Sequence, residues 1–198
     1  DPCFVPGIYF NKWNTVMVTT AGNKLDKLSI HYYSPQTLPF GYNDNDVYRA
    51  SVAAPVRIQN HLKATQDVII NNSNQDIKIA VTEYNSMYFH SLDRRARSME
   101  AALQVAGQLH AFMSDPSLTD HNDYSCLAEF WDGSAIRLGQ RGNFVTPSFH
   151  VLKLYSNKRG PIKVKSQVTC DTFNSPAIGN VPALSNVPYI DAVATRSM

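Results

Sequence analysis

The sequence has little charge. Charged residues make up 17% of its 198 positions, below the roughly 25% of a typical soluble protein. With 43% apolar and 11% aromatic residues, this shortfall excludes a disordered chain, which needs high charge and few aromatics. No charge sign dominates: 18 Lys and Arg oppose 16 Asp and Glu, for a net +2. That excludes an electrostatic footprint for nucleic acid or an anionic membrane. Apolar runs fall far short of the roughly 20 residues that span a bilayer, and no basic start precedes an apolar run as in a signal peptide. Cysteine is scarce. Cys3, Cys126 and Cys170 are too few and too far apart for a disulfide framework or a CxxC zinc site, and they read as buried free thiols. GxGxxG, GxxxxGK[ST] and GxSxG are all missing. The histidines His61, His90, His110, His121 and His150 lack metal-ligand spacing and read as surface or packing residues. Asn71-Asn72-Ser73 fits the glycosylation sequon, a weak signal in an Asn-rich chain.

The length suits one domain, or one domain and a piece of another. A start at Asp1-Pro2-Cys3 and a stop at Arg196-Ser197-Met198 read as a processed chain or a fragment. Residues 24–33 predict a strand stopped by Ser34-Pro35, followed by a loop to Asp46. Residues 47–70 have helical spacing through Val52, Val56, Leu62 and Val68-Ile69-Ile70, interrupted at Pro55. Residues 77–85 form the clearest strand, apolar until Glu83. Residues 93–113 form the clearest helix, with an apolar face of Met99, Leu103, Ala106, Leu109 and Phe112-Met113. Residues 123–131 predict a third strand, 132–147 a loop, 148–155 a short helix and 162–170 a half-exposed antiparallel strand. Alternating strands and helices imply an α/β fold with a parallel sheet, either doubly wound or a piece of a (β/α)8 barrel. No internal repeat is visible.

In parallel α/β folds chemistry gathers at the C-terminal ends of strands. Those ends carry His31-Tyr32-Tyr33, Thr82-Glu83-Tyr84-Asn85 and Glu129-Phe130-Trp131-Asp132. Aromatic rings beside carboxylates, amides and hydroxyls are the composition of a sugar site. Only three glutamates occur. Glu100 lies within a helix and reads as solvated. Glu129 sits within the third predicted strand, before two aromatics. Glu83 closes an apolar strand, where an uncompensated carboxylate costs several kcal/mol, and is the sharpest functional candidate.

The segments Ser29–Tyr33, Ile79–Asn85 and Leu127–Asp132, followed by Thr146–Ser156 and Val187–Thr195, resemble successive segments of glycoside hydrolase family 51, the α-L-arabinofuranosidases. The resemblance runs in order from about Leu25 to the C-terminus. It implies the last three strand-helix units of a (β/α)8 TIM barrel over residues 1–158, with residues 159–198 opening a C-terminal β-sandwich. It implies a retaining glycosidase, without metal or cofactor, in which Glu83 is the catalytic nucleophile. Tyr33 holds that carboxylate or the sugar, and His31 supports the same strand end. Glu129 falls where the family usually has a sugar-contacting Gln, and Tyr84 and Trp131 wall the site. The family's Gly-Asn-Glu acid/base motif has no counterpart here; Gly179-Asn180-Val181 does not qualify. The expectation is therefore part of an enzyme that releases terminal arabinofuranose from arabinan or arabinoxylan, inactive as this piece alone, with a homo-oligomer as the candidate assembly of the whole protein. Two other readings stand beside it: another retaining glycosidase, such as a xylosidase or endoglucanase, and a non-catalytic sugar-binding remnant. The compartment is not legible.

Overall fold

The structure, a computed structural model, describes residues 8–89 and 94–198. Three parallel strands form its centre in the order β1-β2-β3: β1 Lys27–Thr37, β2 Lys78–Phe89 and β3 His121–Tyr124. Helix α1, Ile8–Ala21, precedes β1. Helices α2, Asp44–Ala53, and α3, Ile58–Asn72, join β1 to β2, and α4, Met99–Ser114, joins β2 to β3. Beyond β3 lies a small sheet of β4 Ala128–Glu129, β5 Ile136–Arg137 and β6 Phe144–Val145, then α5, Pro147–Lys158. The C-terminal part pairs β7 Ile162–Val164 with β10 Ala194–Arg196, and β8 Thr172–Ser175 with β9 Leu184–Pro188, both antiparallel. Among the described residues no helix is long and apolar enough to cross a membrane.

The main core lies on one face of the parallel sheet. Leu28 and Ile30 of β1 and Ile79, Val81 and Tyr84 of β2 pack against Val18 of α1, Ile58, Leu62 and Ile69 of α3, and Val105 and Phe112 of α4. Val151 and Leu152 of α5 join them. Four helices thus cover the same face, which leaves the opposite face with Ser29, His31, Tyr33 and Glu83. A second cluster joins Leu38, Val47, Ala50 and Ala54 to Ile178 and Val181 of the C-terminal segment.

Several elements differ from the sequence reading. Strand β1 continues through Ser34-Pro35 to Thr37, paired residue for residue with Ser86–Phe89. Proline lacks only an N–H, and an edge strand tolerates that. Helix α2 begins earlier than expected because the Asn43 side chain caps it, accepting from Asn45 N at 2.9 Å and Asp46 N at 3.3 Å. The predicted 47–70 helix is two helices around a 3-10 turn at Ala54–Arg57 that contains Pro55. The predicted strand at 123–131 breaks after Tyr124, so Glu129 lies in a separate, exposed strand. The final predicted strand ends at Val164.

Helix α4 is rotated from its expected face. Met99 and Leu103 are exposed, while Gln104 and Gln108 are fully buried. Both glutamines find strand partners: Gln104 Nε2 donates to Ser34 O at 2.9 Å and Ser34 Oγ at 2.7 Å, and Gln108 Nε2 donates to Asn85 O at 3.3 Å. Buried amides are tolerated when so satisfied. Glu100, expected in solvent, is also enclosed. It accepts from Ser51 Oγ at 2.8 Å and from Arg95 Nη1 at 2.5 Å, with both charged side chains about nine-tenths buried. Cys126 and Cys170 are free thiols, as read, but only partly buried; Cys3 and His90 lie outside the described residues.

His61 joins α3 to β1. Its Nε2 lies 3.1 Å from Arg57 Nη2, and its Nδ1 lies 2.9 Å from the Tyr32 hydroxyl. A guanidinium only donates, so Nε2 is the acceptor and Nδ1 carries the proton of a neutral ring. Burial, and then the Arg57 charge, lower its pKa to about 4. The unfolded chain takes up that proton near pH 6.5 and the folded chain only near 4. This contribution is therefore full above pH 6.5 and is lost as the pH falls through 4, about 3 kcal/mol in all at roughly 1.4 kcal/mol per pKa unit. Urea unfolding at pH 7 and pH 4.5 should show this loss in the wild type and a much smaller one in His61→Gln. Equal losses in both proteins contradict it.

Candidate active site

The geometry around Glu83 begins with a register shift. Ile30 pairs with Val81, but His31 pairs with Glu83, so Thr82 is an extra residue in β2. The β2–β3 register shifts over the same residues, between Val81 and Tyr84. Side chains alternate between faces along a strand, so one inserted residue inverts every side chain beyond it. Val81 points to the helices. Without the bulge Glu83 would follow it into the apolar core. With the bulge, Glu83 emerges on the open face beside His31 and Tyr33, and Tyr84 takes the core side. The Thr82 hydroxyl meets Ser29 Oγ at 2.5 Å across the two strands.

Three of the six candidate residues converge there. The Tyr33 hydroxyl donates to Glu83 Oε2 at 2.5 Å. His31 Nδ1 stands 3.5 Å from the same oxygen, beyond good hydrogen-bond length but within ion-pair reach. The Glu83 side chain is 41% exposed, so it is held by its neighbours yet open to a ligand. Burial, and then the hydrogen bond to Glu83, push the Tyr33 phenol well above its usual range. Tyr33 therefore stays protonated and donates.

Glu129 lies on β4, exposed and paired opposite Arg137 of β5. Burial raises the Cys126 thiol above its ordinary pKa, and the negative charges of Glu129 and Glu83 act in the same direction. Trp131 lies in the β4–β5 loop, and its ring lies over Gly133. The Gly133 carbonyl accepts from Asn85 Nδ2 at 2.8 Å and from the Tyr124 hydroxyl at 2.7 Å. Asp132 accepts from Arg137 Nε at 2.9 Å and closes the loop. Trp131 is therefore anchored beside the ends of β2 and β3.

Tyr84 does not join the site. It is 2% exposed and packs edge-on against Phe112 of α4 and Tyr124 of β3. Its role as a site wall is corrected: it is a core residue on the helix side. Sequence reasoning placed Thr82 and Asn85 at the strand end without a role of their own and missed Ser125. Asn85 had one available signal, a polar residue two positions after Glu83 and so on the same face of the strand. It is fully buried and ties the β3–β4 and β4–β5 loops to β2 through Ser125 O and Gly133 O. Among the described residues no three His, Cys, Asp or Glu side chains group as metal ligands.

No family model and no curated protein matches the chain. Solved structures do. An α-L-arabinofuranosidase from Thermotoga maritima, in an arabinose complex, matches 94% of this chain at 23% identity with a TM-score of 0.71. A thermostable family 51 α-L-arabinofuranosidase from Thermotoga petrophila RKU-1 matches 94% at 22% identity with a TM-score of 0.75. A family 51 α-L-arabinofuranosidase from Bifidobacterium longum matches 98% at 14% identity with a TM-score of 0.78. The chain spans 38%, 38% and 43% of the lengths of these three proteins. The resemblance carried by the strand-end residues and the likeness in three dimensions point to the same group: over about two-fifths of their length, this chain has the mixed α/β fold of family 51 α-L-arabinofuranosidases.

Proposed function

We propose that this chain is the C-terminal part of the catalytic barrel of a retaining α-L-arabinofuranosidase, followed from about residue 159 by the opening of a β-sandwich. The single observation that carries the reading is the bulge-presented Glu83 carboxylate, gripped by Tyr33 at 2.5 Å on the helix-free face. Helices packed on one face only support a barrel segment over a doubly wound sheet, whose two faces are both covered. The substrate class is an arabinose-containing polysaccharide or oligosaccharide, such as arabinan or arabinoxylan.

In this reading Glu83 attacks the anomeric carbon, the aglycone leaves with a proton from a general acid, and a glycosyl ester forms on Glu83. Water then cleaves that ester with the same acid acting as base, so that configuration is retained overall. Tyr33 and His31 orient the attacking oxygen and keep its lone pairs from turning away. Glu129 and Trp131 line the substrate side. The acid/base carboxyl should lie about 5 to 5.5 Å from Glu83, on an element outside this chain. No metal or cofactor takes part.

Glu129 is a substrate contact here and not the general acid. Glu129→Gln should therefore keep activity on arabino-oligosaccharides, whose leaving groups are poor, within about tenfold, since a neutral amide still bonds a sugar hydroxyl. A general acid replaced by an amide loses far more on substrates with poor leaving groups, roughly 10²- to 10⁴-fold. A loss of that size would transfer the acid/base role to Glu129. Assay of the whole protein on a panel of aryl arabinofuranosides, xylosides and glucosides tests the sugar preference. Turnover confined to xylosides or glucosides would replace the arabinofuranosidase reading by the neighbouring glycosidase one.

A further inference from the structure

The backbone of β1 at Tyr33 is held from outside the parallel sheet. Asp26 O accepts from Lys78 N of β2 at 3.0 Å. Backbone groups in a strand alternate sides, so those of Tyr33 point to the edge away from β2. The C-terminal segment meets that edge. Asn180 Nδ2 donates to Tyr33 O at 2.8 Å, and Asn180 N donates to Pro35 O at 2.9 Å. The Asn180 carbonyl accepts from Arg57 Nη1 at 2.9 Å, and Arg57 in turn reaches His61 and Tyr32. Residues 32–35 of β1 are thus gripped between the helix layer and this turn.

The turn is rigid without the Asn180 side chain. Ile178 and Val181 exchange two backbone hydrogen bonds of 2.9 Å and are buried in the second core cluster. Gly179 has a left-handed φ of +56°. The amide is therefore presented to Tyr33 O by a preformed element, and its removal leaves the turn's own bonds in place. Tyr33 is a long side chain whose hydroxyl meets Glu83 at 2.5 Å, so a small tilt of its backbone becomes a larger shift at the carboxylate.

We infer that Asn180 is a positioning residue: its side-chain amide fixes the Tyr33 backbone so that the phenol holds the Glu83 carboxylate in attacking orientation. The inference deepens the proposed function and rests on it. It assigns to the C-terminal segment a part in the chemistry besides packing.

The test uses the whole protein with Asn180→Ala and Asn180→Asp, each alone and with Tyr33→Phe. Both single variants remove the donor and keep the backbone bonds to Pro35 and Arg57. The expected result is a loss in kcat of roughly 3- to 10-fold, with KM within about twofold, because misorientation acts on the chemical step. In the Tyr33→Phe background the same changes should cost nothing further, the signature of coupled residues. A wild-type rate for Asn180→Ala, or an equal loss in both backgrounds, overturns the inference. A second readout needs no turnover: the ¹³Cζ resonance of labelled Tyr33 should move in Asn180→Ala, and a resonance that stays put overturns the inference even if activity falls. Glu83→Ala assayed alongside separates the two levels. If it stays active the proposed function fails, while the ¹³C shift still reports whether Asn180 positions Tyr33.

Discussion

Glu83→Ala in the whole protein should lose activity on natural arabinosides by about four orders of magnitude or more, as removal of a covalent nucleophile does elsewhere. The argument is geometric. Glu83 is 41% exposed and shares a face with His31 and Tyr33, so the deleted group is the one aimed at the ligand. The shortened side chain leaves room for a small anion. Azide should restore turnover of an activated aryl arabinofuranoside and yield a glycosyl azide of inverted configuration, because azide attacks once from the nucleophile's side. Stability should change little, since the carboxylate lies outside the apolar core. Retained hydrolysis in Glu83→Ala would remove Glu83 from the mechanism. Loss without azide rescue would leave it a binding residue.

Gly179→Ala should produce the largest loss of stability. A Cβ there would lie 1.9 Å from Pro35 O and 2.7 Å from Thr37 O, contacts that are backbone and cannot swing aside. The left-handed φ of +56° adds strain for any residue with a side chain. Relief requires the turn to lift from β1, which breaks the Asn180 bonds to Tyr33 and Pro35 and opens the cluster of Leu38, Ala50, Ile178 and Val181. The sum of strain and lost packing is about 2–4 kcal/mol. It should be visible as a lower urea midpoint for the unit containing Trp131, followed by fluorescence. Activity should fall as well, because Tyr33 loses its support. An unchanged midpoint would show that the C-terminal segment does not bear on β1.

The order of elements was legible because apolar runs and breakers are local. Ile79-Ala80-Val81 reads as strand, and Asp115-Pro116 ends a helix, whatever surrounds them. Registers and faces were not, because they are settled by partners distant in sequence. Glu83 and Tyr84 were both expected in the site, yet neighbours in a strand point to opposite faces. Only the extra residue at Thr82, visible through β1 and β3, decides which one is presented. Met99 and Leu103 suggested the wrong face of α4 because two glutamines are satisfied by Ser34 and Asn85 inside the core. Glu100 was expected in water because it is enclosed only when folding brings α2 onto α4, with Ser51 donating to it and Asp44 holding its ion-pair partner Arg95. Glu129 was expected within a strand of the main sheet because 123–131 is continuously strand-like. Asn85 instead captures the Ser125 carbonyl and the chain turns out to pair with β5.

The central claim is that Glu83 forms a covalent bond to the sugar. The most direct measurement is to treat the whole protein with a 2-fluoro-arabinofuranoside bearing a good leaving group and to map the adduct by peptide mass spectrometry. Fluorine beside the anomeric centre destabilises the oxocarbenium-like transition states of both steps, while the activated leaving group lets the first proceed, so the ester accumulates. The account predicts one sugar per chain, on the peptide containing Glu83 and on Glu83 itself. Stoichiometric labelling of Glu129 or of any other carboxylate, or turnover with no covalent adduct and inverted product, would contradict it.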